Sequence, residues 1–136
     1  MRFTVIENSD YSKKTAYKVA RTVYAETGAV SLRAVEALTS MIYNISKKYS
    51  RDIENIISDS NIFKCVAVSS PHHDNMNIDA NNRGLQMCVR VAERMLHNML
   101  PDYCCGATRF HHDDNIPEWA MSRGYIADID GLLFYS

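Results

Sequence analysis

Residues 19–44 read "VARTVYAETGAVSLRAVEALTSMIYN", and the spacing of apolar side chains in and around this stretch decides the fold class. Ala16, Val19, Ala20 and Val23 recur at helical intervals, which predicts a helix over residues 12–26 with Ser12 as its cap. Gly28 ends it. Ser31 opens a second helix whose Leu32, Val35, Leu38, Met41, Ile42 and Ile45 share one face.

Working outward, Ile53, Ile56 and Ile57 form a short amphipathic turn over residues 52–57. Residues 60–80, rich in Ser, Asn, Asp and His around Pro71, read as a long loop of the kind that often carries function. A third long helix is expected from about Asn82 to Met99, with Leu85, Cys88, Val91, Ala92, Met95, Leu96 and Met99 buried and Pro101 beyond its end. After Gly106 the texture changes. Residues 107–111 suit a strand, and Asp130-Gly131 between two apolar runs is a hairpin signal. The expected fold class is α+β, mainly helical, with a small C-terminal β element.

The chain has 136 residues, enough for one domain with a real core, so residues 1–136 are read as a single unit. A formal charge of −1 gives no electrostatic argument for nucleic acid. No run approaches the ~20 apolar residues of a membrane span. The opening "MRFTVIENSDYSKK" has neither the apolar core nor the small-residue cleavage site of a signal peptide. Cytoplasmic synthesis with another export or lysis route is the matching expectation. Cys65, Cys88, Cys104 and Cys105 form no C-x-x-C pair and are read as reduced thiols in partly buried positions.

Glu26 stands out on periodicity alone. It follows Val23 by three positions and Val19 by seven, so it extends the apolar stripe. Burial there disfavours the charged carboxylate and raises its pKa, while Gly28 lets a substrate approach the helix end. A protonated glutamate at a cleft mouth suits glycosidic bond cleavage. The bland alternative is a last-turn residue reaching water. Glu36, off its helix's stripe, reads as a surface residue.

With Glu26 placed, residues 19–44 resemble the opening motif of the cell wall hydrolase family of spore-cortex-lytic enzymes, an acidic residue at a helix end followed by a helix ending in Asn. "FKC" at 63–65 is similar to that family's Phe-x-Cys segment, and "GATRFHHDDNIPEWA" at 106–120 to its Gly-Ala-x-x-Phe-His…Pro-x-Trp-Ala signature. "GLLFYS" at 131–136 resembles its terminal Phe-Tyr. The likeness implies a lysozyme-like domain acting on peptidoglycan glycan strands as a lytic transglycosylase, with Glu26 as the one catalytic residue and no cofactor or metal. It also implies substrate contacts from Asn44, Phe110, His111, Trp119 and Tyr135. Phe110 and His111 would lie in a cleft wall near Trp119 and Tyr135, with His111 donating to an N-acetyl carbonyl or orienting Glu26. A monomer is expected. The chain departs from the family at Val30, Val35, Ile45 and Leu132, where an acid, a Gln, an Arg and a His are usual. These apolar replacements keep open a non-catalytic wall-binding or regulatory protein on the same fold.

Four of five histidines sit in "PHHDN" at 71–75 and "FHHDDN" at 110–115. Neighbours on a strand face opposite ways, so one histidine of each pair is available to a common ion. One histidine and one carboxylate from each run would make four ligands, the basis of a less favoured zinc-hydrolase reading. His72, His73 and Asp74 are otherwise loop residues beside the glycan groove.

Overall fold

The computed structural model describes residues 2–66, 78–113, 116–121 and 124–136, without the side chains of residues 2–13, 66 and 121. Four helices come first: α1 (Arg2–Thr27), α2 (Leu32–Tyr49), α3 (Ile53–Ile57) and α4 (Arg83–Leu96). Three strands follow, β1 (Arg109–His112), β2 (Tyr125–Ile129) and β3 (Leu132–Tyr135). They form one antiparallel sheet in the order β1-β3-β2. The α+β class is therefore observed. Among the described residues no helix is long and apolar enough to cross a membrane.

α1 begins ten residues before the expected start, which puts Ser12 inside the helix rather than at its cap. Its stripe is as read: Ala16, Val19, Ala20 and Val23 are all buried. Gly28 takes φ +65° as the helix ends, a conformation costly for residues with a Cβ. The next residue, Ala29, also has φ 53°. Ser31 caps α2, its hydroxyl accepting the Ala34 N–H at 3.3 Å and also bonding Asp130 in the distant hairpin turn.

Two residues assigned to apolar stripes face water instead. Leu32, in the first turn of α2, and Met99, beyond the end of α4, are both exposed. α4 stops at Leu96, well before Pro101, because Asn98 turns left-handed at φ 58°. The N–H groups of Asn98 and Met99 then close back onto the carbonyls of Met95 and Arg94 at 3.0 and 2.8 Å.

α1 packs most extensively on α4. Ala16, Ala20 and Ala92 are buried small residues of these helices, and Gly84 lies in the first turn of α4. A Cβ on Gly84 would stand 2.9 Å from the Ala29 Cβ and 3.1 Å from the Tyr24 ring. The contact admits no larger residue without movement. One apolar cluster runs from these helices into the sheet through Phe63, Phe110 and Phe134.

The sheet is closed by the expected hairpin. Asp130 and Gly131 have φ 51° and 90°, the left-handed pair of a two-residue turn matched to strand twist. β3 is central, and alternation splits its side chains. Leu132 and Phe134 join the helical core while Leu133 and Tyr135 face the other way.

Candidate active site

Glu26 ends the buried stripe of α1, and its side chain has no exposed surface. Both carboxylate oxygens have partners. Oε2 accepts the backbone N–H of Cys65 at 3.2 Å, and Oε1 lies 2.9 Å from Nε2 of His112. The Cys65 amide is aimed there by a single 3-10 turn over Lys64–Val66. His112 arrives from the last position of β1.

The amide N–H can only donate, so Oε2 accepts from it, while Oε1 faces the imidazole. His112 is the outward side of the pair, its side chain a quarter exposed against none for Glu26. Burial first, and then the adjacent Glu26 carboxylate, push the Cys65 thiol far above its ordinary range. The buried thiol approaches the Thr22 carbonyl at 3.8 Å and forms a wall of the site.

His112 was not singled out from the sequence as the partner of Glu26; His111 was. Strand alternation separates the two. Phe110 and His112 occupy the helix-facing side of β1, with ring centroids 5.8 Å apart. His111 occupies the other side. Its Nε2 meets the Tyr135 hydroxyl at 3.0 Å, and its ring stacks on that of Tyr135 at 5.3 Å. Trp119 stands edge-on to both rings, at 5.8 Å from His111 and 5.1 Å from Tyr135. His111 Nδ1 also lies 2.7 Å from the His112 carbonyl oxygen. A period-two signal was available: once Phe110 is assigned to the core, His112 follows it inward and His111 outward.

Asn44 goes to neither group. Its amide nitrogen reaches the Ala107 carbonyl at 3.1 Å, Asp102 at 3.3 Å and Cys104 Sγ at 3.4 Å, tying α2 to the loop that leads into β1. The expected site residues thus fall into three places: Glu26 with Phe110 nearby, the His111–Trp119–Tyr135 cluster, and the Asn44 tether.

A cavity of about 770 Å³ runs along the outer edge of β1, between that strand and the end of α2. Phe110 and Trp119 line it, together with Arg51, Asp59, Lys64 and Arg109. Phe110 connects the two regions, since its ring forms cavity wall on one side and meets His112 on the other. Among the described residues, no three of His, Cys, Asp and Glu gather as metal ligands. His72, His73 and Asp74 lie outside the described residues.

Set against known protein families, curated proteins and solved structures, the chain matches none of them.

Proposed function

We propose that the protein cleaves the bond between N-acetylmuramic acid and N-acetylglucosamine in peptidoglycan, on a lysozyme-like fold, with Glu26 as acid and then base. One observation carries this reading. Glu26, Cys65 and His112 come from three separate segments that resemble the cell wall hydrolase family, and they meet at a single carboxyl group.

In this reaction the sugar displaces the half-buried His112 ring and gains access to Oε1. Glu26 gives its proton to the glycosidic oxygen as the C1–O bond breaks, and the N-acetylglucosamine hydroxyl departs. Positive charge develops at muramic C1. The carboxylate then takes the proton of the muramic C6 hydroxyl as that oxygen closes a 1,6-anhydro ring, which restores the acid. One group working in both directions needs no second carboxylate. The place of action would be the bacterial wall, with glycan strands as the partner.

The closed state of Glu26 favours one other reading. A carboxyl with no exposed surface, between an amide and an imidazole, also suits a non-catalytic wall-binding protein in which the pair is structural.

Mass spectrometry of muropeptides released from purified peptidoglycan separates the two. Wild type should yield anhydro-muropeptides with or without a chelator. Glu26→Gln, which keeps the shape of the site, should lower the yield by at least about 100-fold, the usual worth of a general acid. Reducing-end products would mean hydrolysis by water. A folded wild type that releases nothing from several wall preparations would leave the binding reading.

A further inference from the structure

The cavity beside β1 has a chemistry that the cleavage reaction does not use. Arg51, Lys64 and Arg109 face it, against one carboxylate among the described residues, that of Asp59. This is a local excess of positive charge in a chain whose net charge is −1. Asp59 is paired with Arg51 at 3.3 Å, and Asn55 Oδ1 accepts from Arg51 Nε at 3.0 Å. Lys64 and Arg109, by contrast, have no carboxylate partner among the described residues.

Arg109 is already positioned. Its guanidinium lies over the Trp119 ring at 5.4 Å, which holds the planar fork while leaving its N–H edge unused. Thr108, also in the cavity wall, has a buried hydroxyl with no hydrogen-bond partner among the described residues. Among the described residues β1 pairs on one side only, with β3, which leaves its other backbone edge for an extended chain. The volume of about 770 Å³ falls in the range of sites that enclose a small ligand or short peptide.

We propose that this cavity binds a short acidic peptide through its carboxylates, with Lys64 and Arg109 as the charged contacts and Trp119 and Phe110 as the apolar walls. On the reading of a peptidoglycan substrate, on which this assignment rests, the peptide is the carboxylate-bearing stem attached to the muramic lactyl group. Phe110, shared between the cavity and the His112 contact, would then link stem binding to the position of Glu26. A lone inorganic anion would leave the apolar walls and the open strand edge without a role.

Trp119 is the one tryptophan of the chain, so its fluorescence reports on this wall directly. The probes are a free-acid stem tripeptide with its amino end blocked, as the lactyl link blocks it (N-acetyl-L-alanyl-γ-D-glutamyl-L-lysine), the same peptide with its carboxyls amidated, and inorganic phosphate, each titrated into the full chain. The free acid should give a saturable change that weakens as salt rises. Arg109→Gln and Lys64→Gln should each weaken it by about tenfold, the loss of one charge-assisted contact, and amidation, which removes both carboxylates, should weaken it by more. Arg109→Lys should recover part of the loss, and unchanged circular dichroism would show that the variants are folded. Equal binding of the amidated peptide, phosphate binding without peptide binding, or indifference to both substitutions would overturn the proposal. The two readings fail separately. Tripeptide binding without wall cleavage would retain the acid-binding cavity and remove the enzyme, whereas cleavage without tripeptide binding would remove only the cavity's role.

Discussion

Glu26 Oε1 and His112 Nε2 are 2.9 Å apart although 86 residues separate them in the chain. This pair joins the end of α1 to the end of β1 in a place where the carboxylate is closed to water. Its consequences for stability can be measured apart from any activity.

Replacing His112 by Ala should leave one buried carboxylate oxygen without its partner. The expected loss is about 1–3 kcal/mol, read as a lower urea midpoint with unchanged slope. His112→Gln, which keeps a donor of similar reach, should recover part of that loss. If His112→Ala unfolds at the wild-type midpoint, the pair contributes nothing to the fold. The same substitution at His111 removes contacts to Tyr135 and Trp119 instead.

Gly84 and Ala29 should show strong coupling. Gly84→Ala places a methyl 2.9 Å from the Ala29 Cβ and should destabilise by about 1–3 kcal/mol through overpacking. Ala29→Gly, at φ 53°, relieves a left-handed alanine and should be neutral or stabilising. The double variant should recover much of the Gly84→Ala loss. Strict additivity in a double-mutant cycle would argue against the close approach of the turn after α1 to the start of α4.

The four cysteines should divide sharply in reactivity. Cys65, Cys88 and Cys104 are buried, and burial pushes Cys88 to about 12 and the other two higher still. Cys105 is exposed. A thiol-specific chromogenic reagent should therefore titrate one cysteine in the native protein and all of them in denaturant. Two or more fast thiols in the native state would mean that the core around α4 or the 101–107 loop opens readily.

Acid should remove a small, specific contribution at Glu54. The Lys18 ammonium, 2.7 Å away, donates to this carboxylate and holds it below its ordinary value of 4.5, with burial opposing the shift. A depressed folded value means that the stabilisation is present above the ordinary value and is lost as pH falls through the folded one. The difference in stability between wild type and Lys18→Met should accordingly be largest near neutral pH. It should shrink towards strongly acidic pH and in high salt, since the pair is solvent-facing. A difference that grows as pH falls would contradict this assignment.

Much of this fold was legible in local patterns. The buried faces of α1 and α2, the Ser31 cap and the Asp130-Gly131 hairpin all follow from forces acting within a few residues. So does the burial of Glu26, because a helix that buries Val19 and Val23 carries position 26 inward with them. Helix ends were less legible. Ser12 lies inside α1 because the helix continues to Arg2, and α4 ends early because Asn98 adopts a left-handed turn.

What meets Glu26 was decided by tertiary structure. His111 and His112 are chemically identical neighbours, and the register of β1 on β3, with His112 opposite Leu132, turns one inward and the other towards Tyr135. A slip of one residue would exchange them. The same holds for Lys64 and Arg109, two unremarkable surface cations in the linear chain. Their convergence on one cavity comes from the docking of the Lys64–Val66 turn beside the open edge of β1. Period and capping act over one or two turns, so the sequence alone determined the elements and their buried faces. The pairing of groups distant in the chain depends on strand register and helix docking, and only the assembled structure sets those.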